Sequence, residues 1–335
     1  MEREPIALGH GGGGRMTSDL IREVFLPALA NPRLEALGDA ARLDPVPGRL
    51  AMTTDAFVVS PQDFPGGDIG ALAIFGTVND LAVSGARPVA ISAAFILEEG
   101  LARDDLERWV ASMALAARRC SVEVVTGDTK VVPRGQGDRA YVVTTGLGAV
   151  QAGAPPGPEA IREGDEVLVS GPVGDHGAVI AALRNALDPG TLRSDCGPVW
   201  DLVEALLAAG ATPRFLRDPT RGGLGTVLGE MAEASGLSVE VRDDALPVRP
   251  EVAGLCDLLG LDPIFLACEG RVVAVMPSEQ AEEALRAWRR LPSGQEATRI
   301  GRVVQRAPAP IVRVTPYGGR RLCDVPAAEP LPRIC

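Results

Sequence analysis

The chain has 335 residues, of which 46% are hydrophobic and 23% charged, and its formal net charge is −11. That length holds two ordinary domains, and that composition makes a packed globular protein. The acidic balance excludes a general nucleic-acid or anionic-membrane binder, because both need a basic footprint, but it leaves room for a local anion site built from backbone amides. No run of about 18 apolar residues offers a transmembrane helix, and the N-terminal residues show no charged-then-apolar leader pattern. Six scattered cysteines without a C-x-x-C pair read as free thiols of a cytoplasmic protein, and two histidines, His10 and His176, are too few for a His-rich metal site.

In chain order, Gly9-His10-Gly11-Gly12-Gly13-Gly14-Arg15 reads as a mobile glycine loop ahead of an amphipathic stretch, Ser18 to Leu29. Its amides can approach an anion, and it reads equally as a linker; the P-loop pattern fails because no Lys-Ser or Lys-Thr follows. A β-like run, Arg49 to Val59, contains Thr53-Thr54-Asp55. After a Pro/Gly loop, a helix fits Ile69 to Ser84, with Asp68 as its N-cap and Gly85 as its stop. The helix is apolar nearly all round and must be buried, yet it carries Asn79 and Asp80, with Asp80 on the face of Ile69, Ala73 and Gly76. A buried carboxylate there needs a cation, hydrogen-bond donors or a wet cleft, or else a salt bridge. A strand at Val89 to Ile96 and a helix at Asp104 to Arg119 follow. A short strand, Val122 to Thr126, then ends in Gly127-Asp128-Thr129-Lys130, a way to present side chains at a sheet edge. Tyr141 to Val150 closes the first half.

The segment Gln151 to Pro158 cannot continue helix or strand and marks the boundary between domains 1–150 and 151–320. The second half offers strands at 166–170, near 239, at 272–276, 300–304 and 311–314. Its helices fit 178–187, 199–209, up to 234, 252–259 and 279–288. The loop Arg217-Asp218-Pro219-Thr220-Arg221-Gly222-Gly223 opens one of them. The mixed order predicts an α/β (α+β) protein of two layered halves. Residues 321–335 hold three prolines and no periodicity, and read as an extended, mobile tail ending in Cys335, either a swinging thiol or simply a frayed end. The stretch Ser194-Asp195-Cys196-Gly197-Pro198 holds a cysteine to which no role is assigned.

Several of these pieces together resemble the HypE family of hydrogenase maturation factors. They are residues 53–67, Gly76-Thr77-Val78-Asn79-Asp80-Leu81-Ala82, Gly127-Asp128-Thr129-Lys130, Gly174-Asp175-His176-Gly177, Asp218-Pro219-Thr220-Arg221-Gly222-Gly223-Leu224 and the ending Pro332-Arg333-Ile334-Cys335. The resemblance implies the two-domain PurM-like fold shared with aminoimidazole ribonucleotide synthetase and selenophosphate synthetase, a homodimer that pairs sheets, and ATP near the interface. It implies that a HypF-like carbamoyltransferase loads the terminal cysteine and that ATP-dependent dehydration then gives a thiocyanate. Its cyanide passes to iron held by a HypC–HypD complex, for [NiFe] hydrogenase.

Under that resemblance Asp55, Asp68, Asp80, Asp128 and Asp218 are the candidate Mg²⁺–ATP clamp, since hard Mg²⁺ prefers carboxylate oxygens with phosphate and water. Cys335, Lys130 and Glu269 are the candidate catalytic set: carrier thiol, phosphate contact or proton acceptor, and general base. His10, Gly11, Gly12, Gly13, Asn79, Thr129, His176, Gly222 and Gly223 are candidate nucleotide contacts, the last two because they open a helix. Two other readings stay open: a small-molecule kinase of the selenophosphate or purine synthetase kind, and a nucleotide-binding carrier without catalysis. The first of these kinases usually carries a reactive cysteine in its glycine loop, and none stands between Gly9 and Arg15.

Overall fold

The structure is a computed structural model that describes residues 4–327 and 331–335. The first domain is a four-stranded sheet of β1 (Leu50–Phe57), β2 (Ala86–Glu98), β3 (Glu123–Val132) and β4 (Ala140–Val150), in the order β1-β4-β2-β3. Only β2 and β3 run parallel. Two helices, α1 (Ile69–Val83) and α2 (Arg103–Arg119), pack on one face.

Helix α1 forms where its sequence dictates. Asp68 caps it by accepting from the amide of Ala71, and the chain leaves the helix through Ser84 and Gly85, whose φ is +75°. Thirteen of its residues are buried, because it lies between the sheet and α2, and its last turn packs against helices of the second domain. The glycine loop differs from the mobile segment expected. Leu8–Gly11 forms a 3₁₀ turn, and Gly11 packs on the backbone of β3. The amphipathic stretch is longer than expected, running from Arg15 to Leu29 through a π-helical turn at Ile21–Phe25.

The second domain contains, in chain order, β5 (Glu166–Val169), α3 (Asp175–Arg184), α4 (Trp200–Ala208), β6 (Phe215–Arg217), α5 (Gly223–Ser235) and β7 (Ser238–Arg242). It continues with α6 (Pro250–Leu259), β8 (Val273–Met276), α7 (Ala281–Arg289), β9 (Thr298–Val304), β10 (Ile311–Val314) and β11 (Arg320–Cys323). Its seven-stranded sheet has the order β11-β10-β7-β9-β5-β8-β6. The tail therefore differs from the extended, mobile segment expected. Its first residues pair antiparallel with β10, in the register Ile311↔Cys323. One apolar cluster spans the first domain and the facing sides of α3 and α6, and Ile334 belongs to it.

Candidate functional site

The site begins with the period of β1. Alternation turns Thr53, Asp55 and Phe57 toward α1, where Thr77 and Asp80 lie one turn apart. Thr53 Oγ1 donates to Asp80 (2.7 Å) and Thr77 Oγ1 donates to Asp55 (3.2 Å), so each carboxylate is held by a hydroxyl from the other element. Asp218, just beyond β6, and Glu269 approach from the second domain, exposed by 4% and 1%. Burial, reinforced by the charge of Asp80, pushes Asp55 up to about 6 and Asp218 up to about 7. Burial also holds Glu269 well above the usual carboxylate range, helped by the charges of Asp195, Asp218 and Asp55, and its Oε1 is buried without a hydrogen-bond partner. The Arg221 guanidinium opposes this at both Asp55 and Glu269.

Such crowded acids are what a cation relieves. Among the described residues, no group of three or more His, Cys, Asp or Glu side chains is arranged to hold a metal by itself. Mg²⁺ does not ask for one, since it keeps several waters and takes one or two carboxylates plus substrate phosphate oxygens. Asp55 and Asp80, each held by a hydroxyl from the other element and close enough to Asp218 for their charges to push its pKa up, offer the one or two carboxylates that this mode needs.

Asp128 and Lys130 sit elsewhere. The expected short strand runs on through Gly127-Asp128-Thr129-Lys130 to Val132, so these residues are strand interior. Asp128 pairs with Ala94 and Lys130 with Ile96, on the face of the sheet that no helix among the described residues covers, while Thr129 is buried on the other. Lys130 Nζ donates to Asp128 (2.8 Å), with both side chains 61% exposed. Asp55 lies across the sheet on the opposite face, three strand spacings or about 14 Å away. Within one chain, then, the five aspartates do not form one cluster. Asp68 is separated from Asp80 by twelve residues of helix, about 18 Å, and its carboxylate is engaged by the Ala71 amide and the Ser112 hydroxyl.

The other expected contacts divide in the same way. His10 Nδ1 accepts from the amide of Ala7, whereas Gly12 and Gly13 are open to solvent. Asn79 spends its side chain between the domains: Nδ2 donates to the carbonyls of Gly197 and Glu269, and Oδ1 accepts from Val199. Gly222 and Gly223 have φ of +72° and +61°, a left-handed pair that turns the chain into α5, and the Gly223 amide closes the turn by donating to the carbonyl of Thr220 (2.9 Å). A cavity of about 350 Å³ lies beside that turn, lined by Arg217, Thr220, Arg221, Gly222 and Thr226.

His176 is buried in the first turn of α3 and holds the tail. Its Nε2 lies 2.8 Å from the carbonyl of Ile334, which can only accept, so Nε2 carries the proton and Nδ1 accepts from the Ser194 hydroxyl (2.8 Å). Burial lowers its pKa and keeps it neutral. Arg184, at the other end of α3, donates to the carbonyls of Ser60, Pro332 and Arg333. The Val58 amide donates to the carbonyl of Cys335 (3.0 Å), and the Ser60 amide to that of Arg333. Arg333 takes a left-handed φ of +57° and reaches Val58 and Asp138 with its side chain. At about 1 kcal/mol each, these contacts and the buried Ile334 roughly offset about 1–2 kcal/mol of ordering per residue for the last five residues.

Of the residues expected from the sequence, Asp55, Asp80, Asp218 and Glu269 come together, whereas Asp68, Asp128 and Lys130 do not join them. Sequence reading missed Thr53, Thr77, Arg184, Arg221 and Ser194, which gain meaning only from neighbours far away in the chain.

Domain models described as AIR synthase related protein match residues 37–150 (N-terminal domain) and 162–312 (C-terminal domain), which sets the class of the protein. A carbamoyl dehydratase HypE from Azotobacter vinelandii is 48% identical over 331 residues, covering 98% of this chain and 97% of that protein. A crystal structure of hydrogenase maturation protein HypE in complex with ATP superposes with a TM-score of 0.93 at 46% identity, covering 98% of this chain and 99% of the other. A HypE–HypF complex matches with a TM-score of 0.80 at 42% identity, covering 92% and 99%. The chain belongs to the HypE family of carbamoyl dehydratases.

Proposed function

We propose that this chain removes water from a carboxamide carried on the sulfur of Cys335, leaving a thiocyanate for the maturation of a [NiFe] hydrogenase. An amide oxygen is a poor leaving group; Mg²⁺–ATP, when bound, supplies the phosphoryl group that lets it depart as phosphate. The sum is thiocarbamate plus ATP giving thiocyanate, ADP and phosphate, with the carbonyl oxygen ending on phosphate and both amide protons released. Asp55, Asp80 and Asp218 would supply the carboxylate oxygens to the magnesium. Gly222, Gly223 and Arg221, just beyond Asp218, would face the phosphates, where helix-terminal amides and positive charge favour an anion, and the loop of Gly11, Gly12 and Gly13, which packs on β3 beside Lys130, would reach them only from a partner protomer. Glu269, desolvated and with one carboxylate oxygen buried without a partner, is the acceptor for an amide proton.

The observation that carries this reading is the seated tail. The Cys335 carbonyl is bonded to Val58, only three residues beyond Asp55 in the chain, so the end of the chain lies about 10 Å along the same run from an acid of the cluster.

Lys130 and Asp128 complete a site across a dimer. The uncovered sheet face carries Leu50 and Met52, 51% and 72% exposed, with Val143, Leu147 and Ile96 on the same face; an apolar sheet face of this kind is covered by a second copy. The carbamoyl donor is a HypF-like carbamoyltransferase, in keeping with the relative crystallised with HypF, and the acceptor of cyanide is a HypC–HypD complex. We assign the reaction to the cytoplasm, in keeping with a scattered set of free thiols.

Intact-mass analysis after incubation with carbamoyl phosphate, the carbamoyltransferase and ATP tests the reading. The wild type gains a carbamoyl group and then loses one water, and Cys335→Ala does neither. Loading without water loss identifies a carrier and overturns the proposal.

A further inference from the structure

The segment Ser194 to Val199 is absorbed by none of the roles above, yet it touches both halves of the chemistry. At one end, Ser194 donates its hydroxyl proton to His176, the residue that holds the tail, and accepts from the Cys196 amide (3.1 Å). Its own amide donates to Pro65 (2.8 Å). In the middle, the Asp195 carboxylate accepts from the amides of Glu269 (3.1 Å) and Gly270 (3.2 Å). The Gly197 amide donates to the carbonyl of Glu269 (3.2 Å), and Asn79 ties the carbonyls of Gly197 and Glu269 to α1. Both backbone polar groups of Glu269 are thus fixed by this loop, while its carboxylate is left with an unpartnered oxygen. The approach is close: a Cβ at Gly270 would lie 2.0 Å from the Asp195 carbonyl, so only glycine fits there. Arg271, 12% exposed, braces Asp195 from behind at 3.5 Å.

A residue whose backbone is clamped on three sides moves only when its clamp moves, and this clamp is continuous with the seat of the tail. We propose that the Ser194–Val199 loop is a mechanical link that sets the position of Glu269 according to whether the tail is seated at His176, with Ser194 and Asp195 as its positioning residues. The inference rests on the reading of Glu269 and the tail given under Proposed function, but its physical core needs no turnover to be examined.

Amide hydrogen exchange on the full-length chain provides that examination. Arg184→Ala removes three donated hydrogen bonds at the seat, to the carbonyls of Ser60, Pro332 and Arg333. Exchange in residues 331–335 rises, and the amides of Gly197, Glu269 and Gly270 exchange about fivefold faster or more, as the loss of a shared restraint produces. In Ser194→Ala the Glu269 and Gly270 amides no longer respond to Arg184→Ala. Faster exchange in the tail with Glu269 and Gly270 unchanged overturns the proposal, and so does a tail whose exchange does not rise at all. In turnover, Ser194→Ala lowers kcat about tenfold with KM for ATP unchanged, and Ser194→Thr, which keeps the hydroxyl, restores it; wild-type kcat in Ser194→Ala also overturns the link. If the chain removes no water from its loaded thiol, the function fails while the exchange result still decides the coupling.

Discussion

The two faces of the first sheet carry similar side chains under opposite conditions. On the covered face, Asp55 meets Asp80, Asp218 and Glu269 in a buried pocket where charge is costly. On the uncovered face, Asp128 is paired with Lys130 in solvent, and that partner holds its carboxyl below the usual range. The same residue type is thus a strained acid on one side and a relaxed ion on the other. Strain marks a place built for something absent from the chain itself, whereas the exposed pair contributes about 0–1 kcal/mol to the fold and gains value only if a partner covers it.

The most severe way to break the contrast is Asp218→Asn. We expect turnover to fall by about 10³-fold or more, the scale of losing one charge-positioning group in a phosphoryl-transfer site. The same change stabilises the protein stripped of nucleotide and magnesium. A carboxylate whose folded pKa is raised stabilises fully below its unfolded value of 3.8 and loses that contribution as pH climbs through about 7. Melting at pH 8 therefore rises by about 0.5–2 kcal/mol in the variant, and melting near pH 4 does not change. A variant that is less stable at pH 8 removes the argument that this pocket is strained.

A second prediction sharpens the contrast across protomers. Lys130→Ala lowers turnover by about 10²-fold or more. Mixed and re-equilibrated with inactive Asp218→Asn, it recovers about a quarter of wild-type activity, because half the dimers are mixed and each holds one intact site. No recovery means that both residues serve the site of their own chain.

The smallest effect concerns His176. Burial lowers its pKa, so its neutral form stabilises the fold fully above the ordinary value of 6.5, and that contribution fades as pH falls through the folded value. The slope of stability against pH below 6.5 is therefore shallower in His176→Asn than in the wild type, by up to about 1–2 kcal/mol across the transition. Equal slopes place the acid sensitivity elsewhere.

Much of this was legible in the amino-acid order. Asp68 as a cap, Gly85 as a stop and an all-round apolar pattern gave α1 its ends and its burial, because those signals act within a few residues. The β-like run placed Asp55 on a strand, but not on a face of it, since Leu50 and Met52 stand on the exposed side. What stayed hidden acts at long range. A proline-rich end without periodicity reads as disorder, but His176 and Arg184, about 150 residues earlier, hold it. Asp128 and Lys130 suggested a strand end because glycine and acid look like punctuation, and the strand persists because pairing with β2 continues to Glu98. That Asp55 and Asp128 face opposite ways follows only from the strand order β1-β4-β2-β3.

The way the tail is gripped has one more consequence. His176, Arg184, Val58 and Ser60 all engage main-chain carbonyls. Such a grip is indifferent to most side chains but not to how many residues separate it from the sulfur. It works as a gauge: one residue inserted between Ile334 and Cys335 would carry the thiol about 3.3 Å too far, farther than any proton transfer tolerates, while leaving every carbonyl before it in place.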